Sequence, residues 1–379
     1  MFANHVQADT YAKLSGDTFA YYSDAECTQS IEAPVTGLAG VTVLFADDAE
    51  YQALVPHANE LAAAAAVALQ NDVTLAADAD WRVIDFDLNG KVITLMGWDL
   101  QVRKPQGTGR ITAGNLIVNG DFENGLTPWT VTSSGSCWVN DGSQTKSQLK
   151  NIPYSGNHWL ALWVSSGKYT TRPHITQTFT VPKSLTAYVR FRYGRYYNGT
   201  SYREDIYVGI DSNNNIANKV SISSSASKTT AWNSEIKTIS LAAGDHTVNL
   251  SDGNSATFID EVTASPESHL VFDIPEGEEY SPSGIAFGSE QDYFFDGMGL
   301  QIHKTGKGKL VMNKANTRIG GYGATANIVS MVVEEGVVEN ANDRGCGPYA
   351  ARIEVKEGDR KSTRLNSSHP TTSRMPSSA

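Results

Sequence analysis

Cysteine is scarce. Cys27, Cys137 and Cys346 stand far apart in a chain of 379 residues, and no pair has the close spacing of a zinc site. An odd, sparse set rarely builds a disulfide framework. Two readings stay open: free thiols, or one bridged pair in an oxidising compartment. Charge is thin as well, 19% of the chain with a net −11. Without clustered Lys and Arg, sequence-independent nucleic-acid binding is excluded. No apolar run approaches the ~20 residues needed to cross a bilayer. The first nine residues lack the basic and apolar regions of a signal peptide. Catalytic signatures are also missing: no Gly-x-Ser-x-Gly elbow, no His-Glu-x-x-His, no phosphate loop. The acid pairs Asp85/Asp87, Glu204/Asp205 and Glu334/Glu335 are neighbours along the chain. A glycosidase needs two carboxylates about 5–10 Å apart across a cleft. The chain therefore reads as a non-enzyme.

What the chain does have is glycine, 33 residues, with much Ser, Thr and Asn between short alternating runs. The stretch Asn115 to Trp129 is the most informative. Leu116–Val118 enters a Gly-rich turn carrying Asp121 and Glu123, which predicts a strand with carboxylates at its end. Further alternating segments follow at 174–180, 187–193, 205–211, 234–240, 244–250 and 256–262. Many short strands between turn signals predict a β-sandwich.

In their order, these segments resemble a galactose-binding-like jelly roll, specifically the calcium-containing carbohydrate-binding modules associated with xylanases and cellulases. The resemblance covers 115–264. It implies non-catalytic sugar binding, with the strand at 256–262 returning beside the first. It also implies a structural Ca²⁺ pinning the two chain ends. Carboxylates and turn carbonyls supply the oxygens such an ion needs, so Asp121, Glu123 and Asp260 are the expected ligands. The plainer reading makes them turn formers and surface charges.

Sugar rings present apolar CH faces to aromatic rings and hydroxyls to charged partners. Trp159 and Trp163 fall on one face of a strand, about 13 Å apart at ~3.3 Å per residue, although Leu160 and Leu162 compete for the buried side. Val189 and Phe191 look inward, which turns Tyr188, Arg190 and Arg192 away from the core. Arg195, Tyr196, Tyr197 and Tyr202 extend this set. A cluster of Tyr and Arg beside a Gly-Asn loop suits an oligosaccharide, and equally suits an ordinary wet sheet face. Trp129 and Trp138 read as structural.

An internal repeat flanks the sandwich. Gly97 to Thr112 and Gly297 to Met312 share Gly-x-x-Leu-Gln-(Val/Ile)-x-Lys followed by a Gly-rich turn and a second strand. One such unit cannot bury its own apolar face, so repeats of this kind predict stacked coils. Gly306 to Gly321 resembles the strand repeats of autotransporter passenger domains. The copies lie on either side of the jelly roll, which predicts a β-solenoid with a jelly roll inserted between coils, with tandem domains as the alternative. Near the N-terminus, Val41–Phe45 reads as a strand and Asn59–Leu69 as the one helix, on strong helix formers.

The segment 359–379 matches the translation of a common sequencing adapter and is set aside from the fold. It carries a net +3, which leaves −14 on the rest. The natural chain is expected to continue past Gly358, and Met1 need not be its start. The expected domains are 1–75 with one helix, a solenoid repeat at 76–112, a jelly roll at 113–265, further passenger-like repeats at 266–358, and the tail. The fold class is all-β. The expected function is non-catalytic glycan attachment by a large bacterial-type extracellular or surface protein, with polysaccharide as partner and no transmembrane segment. The alternatives are a ligand-free spacer in a surface stalk, and a targeting module for a polysaccharide-degrading enzyme.

Overall fold

The computed structural model describes residues 9–132, 136–140, 156–163, 174–196, 204–211, 219–222, 233–252, 256–288, 299–312, 329–340 and 352–356. The fold is all-β with a short helical stretch. It divides into two units, one made of Met1–Gly114 with Ser268–Ala379 and the other of Asn115–Glu267.

The first unit is a stack of parallel coils. One sheet follows the order Arg352–Val355, Val329–Val333, Leu300–Thr305, Ser268–Asp273, Asp99–Val102, Ala79–Trp81. A second runs Ile285–Phe287, Gly109–Thr112, Val92–Thr94, Val73–Thr74, and a third Glu279–Tyr280, Lys309–Met312, Val337–Asn340. All the pairs in these sheets are parallel. Parallel pairing stacks like positions on like, so inward residues form columns. One column runs Ala79, Leu100, Leu270, Ile302, Met331, Ile353. Another runs Val73, Ile93, Ile111, Phe287, and all but Ile353 of these residues are buried. Because parallel sheets bury their interior, such strands need apolar inward positions.

The insertion is visible in the ladder. His269–Phe272 pairs in register with Asp99–Val102, although the second unit intervenes between them. The coil therefore resumes where it stopped, and the chain is a solenoid interrupted by a sandwich rather than tandem domains.

A third column carries an exception. Trp81, Val102, Phe272, Lys304 and Val333 are successive register partners, and Lys304 is fully buried among them. Its Nζ donates to the carbonyls of Thr305 (2.5 Å), Gly306 (2.6 Å) and Glu335 (3.3 Å). A buried ammonium is tolerated only when its donors are met in this way. Gly306 and Gly336 have φ of +69° and +80°, which turns the backbone around the ammonium at little steric cost.

The two repeat copies agree in their first strands only. Asp99–Val102 and Leu300–Thr305 share one sheet, while Gly109–Thr112 and Lys309–Met312 lie in different sheets. Pro105 interrupts the first copy. It has no N–H for a ladder, and the third face is reduced there to the bridge Asp87↔Gln106. The next strand then forms one face further on. Residues 313–328, where the passenger-like pattern continues, lie outside the described residues, as do Cys346 and the tail 359–379.

The N-terminal residues cap this stack. Ser30–Ile31, Thr18–Tyr22, Tyr11–Ser15, Thr42–Phe45 and Ala66–Leu69 form one sheet. It joins the coils through the parallel bridges Ala68↔Asp87 and Asp87↔Gln106. The expected helix at 59–69 is displaced. Helix occupies Asp48–Leu54 and Ala58–Leu61, and Ala66–Leu69 is a strand. The start signal lies at Asp47, whose Oδ1 accepts from Glu50 N at 2.9 Å. Further on, Ala65 N donates to Val41 O and Leu69 N to Asp87 O. These ladder bonds on both sides override alanine's strong helix propensity, since tertiary pairing outweighs local preference.

Phe45, Tyr51, Trp81 and Phe86 pack into one aromatic cluster, with Tyr51 stacked on Trp81 at 5.1 Å and edge-to-face contacts around them. Trp81 Nε1 also donates to Asp48 Oδ1 at 2.7 Å. Trp81→Ala should cost about 3–5 kcal/mol in denaturant unfolding, while Val35→Ala, at a fully exposed position, should leave the midpoint unchanged. Equal midpoints for the two variants would remove the cap from this account.

The second unit is a sandwich of two antiparallel five-stranded sheets. One orders Thr130–Val131, His174–Val181, Gly244–Asp252, Glu204–Ile210, Lys219–Ile222. The other orders Ser136–Asn140, Trp159–Trp163, Ala256–Pro266, Leu185–Tyr196, Asn233–Leu241. The expected opening strand is absent: Leu116–Val118 is a series of bends. Asn119 and Phe122 sit at φ of 49° and 60°, outside the extended region. The segment still lies beside the closing strand, since Leu116 N donates to Ala264 O and Val262 N to Gly120 O, both at 2.9 Å. The amide of Gln177 supplies the partners a second strand would give, answering both the N–H and the C=O of Val118 at 2.8 Å. Trp129 is structural, packed on Phe122 and donating to Asn119 O at 3.0 Å.

Candidate functional site

The strand Leu185–Tyr196 alternates two residue sets. Val189 and Phe191 belong to the apolar set that continues across the sheet with Ile259, Val262, Leu160 and Leu162, all buried. This is the face a sandwich core requires. Tyr188, Arg190 and Arg192 lie on the opposite face, as alternation demands. The register pairs Arg192 with Asp260. One step along the ladder from Leu160↔Ile259 sets Trp159 beside Asp260. Trp159, Asp260 and Arg192 thus form a row across three strands on the face away from the core.

The alternation predicts Tyr188, Arg190 and Arg192 facing away from the core into solvent and leaves Trp159 open between display and burial; all four are buried. Trp159 is 1% exposed, Tyr188 5%, Arg190 7% and Arg192 5%. Tyr188, Arg190 and Arg192 are held by pairing with Glu267 and Glu261. A bulge between Arg190 and Arg192 in the register with the closing strand coincides with Glu261 at φ 52°. The extra residue places Glu261 between the two guanidinium groups. Its Oε2 accepts from Arg192 Nε at 3.0 Å and is 3.4 Å from Arg190 Nη2. Asp260, fully buried, accepts from the Glu261 N–H at 2.8 Å. Tyr188 donates its hydroxyl to Glu267 Oε2 at 2.7 Å. Glu261 was missed at the sequence level, because a bulge is not written in the alternation that locates strands.

Among the described residues, two buried nitrogens on this face have no hydrogen-bond partner, Trp159 Nε1 and Arg190 Nε, although the Arg190 guanidinium is engaged through Nη2. The Trp159 indole Nε1 is buried and donates to nothing. A buried donor left unpaired costs about 1–3 kcal/mol, so such atoms call for a physical reason.

The remaining expected sugar ligands are less defined. Trp163, Arg195 and Tyr196 lie in the same sheet, with side chains outside the described residues, as is that of Trp138. Tyr197 and Tyr202 lie outside them altogether.

The expected calcium ligands Asp121, Glu123 and Asp260 each have protein partners. Among the described residues, no three His, Cys, Asp or Glu side chains group so as to hold a metal ion. Glu123 is already engaged. Its Oε1 accepts from Asn157 N at 2.7 Å and His158 N at 2.8 Å, and its Oε2 is 3.0 Å from His158 Nδ1. Asp260 is turned to Glu261, and Asp121 to Glu123 N at 3.4 Å. Gly156 shows how closely the Glu123 contact is built: a Cβ there would fall 2.1 Å from Glu123 Oε1. Cys27 and Cys137 are not bridged to one another.

Burial opposes ionisation of Glu123, but the donors from His158 and Asn157 outweigh it and hold its carboxyl below the usual range. A depressed folded value gives stability above the unfolded value, lost as pH falls through the folded one. Glu123→Ala should therefore melt below the parent at about pH 6–7, and the gap should close as pH drops below the carboxylate range, near 4. A gap that stays constant with pH would rule out this linkage.

No protein-family model matches the chain, and no curated protein matches it. Solved structures similar to it include TmCBM61 in complex with β-1,4-galactotriose, 16% identical, covering 41% of this chain and 99% of that one with a TM-score of 0.28. A family 16 carbohydrate-binding module is 20% identical over 40% of this chain and 99% of its own, with a TM-score of 0.27. The enzymatically active domain of bacteriophage CBA120 tailspike protein 4 is 12% identical over 53% of this chain and 38% of its own, with a TM-score of 0.29. At this level the fold rests on the ladders above, and the ligands in those names belong to those proteins.

Proposed function

We propose that the sandwich is a non-catalytic glycan-binding module of a large bacterial-type extracellular or surface protein. The observation that carries this reading is the unpartnered indole N–H of Trp159, set in a row with Asp260 and Arg192. An indole offers one donor beside an apolar ring, which matches a sugar hydroxyl beside CH groups. The Arg190–Glu261–Arg192 cluster fixes the surrounding polar groups in place, and preorganised polar groups cost least to bind with. No helix among the described residues is long and apolar enough to cross a membrane.

The rival reading is a spacer that binds nothing. The burial of Trp159, Tyr188, Arg190 and Arg192 favours it, since a sheet face locked by its own pairs needs no ligand. The calcium reading on Asp121, Glu123 and Asp260 is carried over as a proposal, with Glu123 the ligand whose present bonds would have to be given up.

A glycan array probed with the full chain, in calcium and then in EDTA, separates these readings. Specific binding that weakens about tenfold in Trp159→Phe, the loss expected for one hydrogen bond of roughly 1.4 kcal/mol, supports the module. Tyr196→Ala should also weaken it. A folded chain that binds no glycan establishes the spacer. A melting temperature unchanged by EDTA removes the calcium.

A further inference from the structure

The solenoid unit holds a cleft that its stacking does not require. It measures about 380 Å³ and lies between the segments 58–67 and 83–87, with Arg103 and Gln106 along its side. One side is lined by small apolar residues, among them Ala58, Leu61, Ala64 and Val67. The alanine run explains why space remains, since longer side chains at these positions would fill it.

The facing wall is held at three points. The Tyr51 hydroxyl accepts from Ile84 N at 2.9 Å and donates to Ile84 O at 3.1 Å. Arg103 grips Asp85 through two bonds of 3.0 Å each. Asp87 is fixed through its backbone, with its N–H on Val67 O and its C=O taken by Leu69 N. The side chains of Asp85 and Arg103 are still 28% and 36% exposed, and Gln106 is exposed. The polar wall thus offers a guanidinium and an amide as donors, and two carboxylates and the amide oxygen as acceptors.

This pairing of walls selects a ligand class. A purely apolar guest would leave the charged wall desolvated, which is costly. An anionic guest such as a phosphate would meet Asp85 and Asp87. A neutral ring with CH groups on one face and hydroxyls on its edge satisfies both walls, and the volume lies within the ~300–1,000 Å³ of small-molecule sites. We infer that this cleft binds one or two pyranose rings, its alanine wall against the CH face and Asp85, Asp87, Arg103 and Gln106 on the hydroxyls. The site lies in the solenoid unit and does not rest on the sandwich reading.

Saturation-transfer NMR of the full chain tests it, with xylobiose, galactobiose and maltose at millimolar concentration as probes. The parent for comparison carries Trp159→Phe, which weakens sandwich binding about tenfold, and the cleft is read as the difference between this parent and its Ala64→Leu form. At least one sugar should bind this parent. Gln106→Ala, an exposed change, should weaken it about tenfold with an unchanged melting temperature, and Ala64→Leu should abolish it by filling the cleft. Saturation transfer from the Trp159→Phe parent to none of the three sugars would overturn the inference. So would equal binding by Ala64→Leu in a protein that still melts cooperatively.

Discussion

The register between Asp99–Val102 and Ser268–Asp273 is the constraint on which the solenoid unit depends. A parallel ladder stacks each inward residue on its counterpart, so a slip of one residue would turn every column out to water. The two halves of this unit meet there after a long excursion, and their apolar columns continue unbroken from Ala79 to Met331. Lys304 shows how strict the interior is. A charge sits in the column only where a turn supplies carbonyls for its ammonium.

The sandwich meets a matching requirement in itself. Its first and last segments are bound together, Leu116 to Ala264 and Gly120 to Val262. Gly120 is required by closeness: a Cβ there would fall 1.9 Å from Val262 O. Among the acids of that turn, Glu123 accepts from the backbone of Asn157 and His158 and so ties the local scaffold together. The same economy governs the candidate glycan face. Arginines placed correctly opposite the core are buried because a bulged glutamate pairs with both.

Much of the fold was legible in the sequence. Period-two alternation located the sandwich strands, because one face of each must be apolar. The sequence repeat pointed to stacked coils, and Leu100 and Ile302 do fall in one sheet. What was illegible depended on partners distant in sequence. Ala66–Leu69 is a strand because Val41–Phe45 and Asp87 flank it. Leu116–Val118 is not a strand because Gln177 answers its backbone. Burial of Arg192 and the bulge at Glu261 arise from pairing across the sheet, which local pattern does not encode. The cleft beside Ala64 was likewise hidden inside a run that read as helix.

The central claim, that one solenoid resumes across the sandwich, is tested most directly by cross-linking Gln101→Cys to Val271→Cys in a chain whose native cysteines are replaced by serine. The two positions are register partners on the outward side of the ladder. Directly paired strand residues fall within the 4.4–6.8 Å Cα separation a disulfide accepts. The account predicts a bridge on mild oxidation, with no loss of melting temperature. Two thiols that react with a maleimide in the folded protein yet never bridge would contradict it.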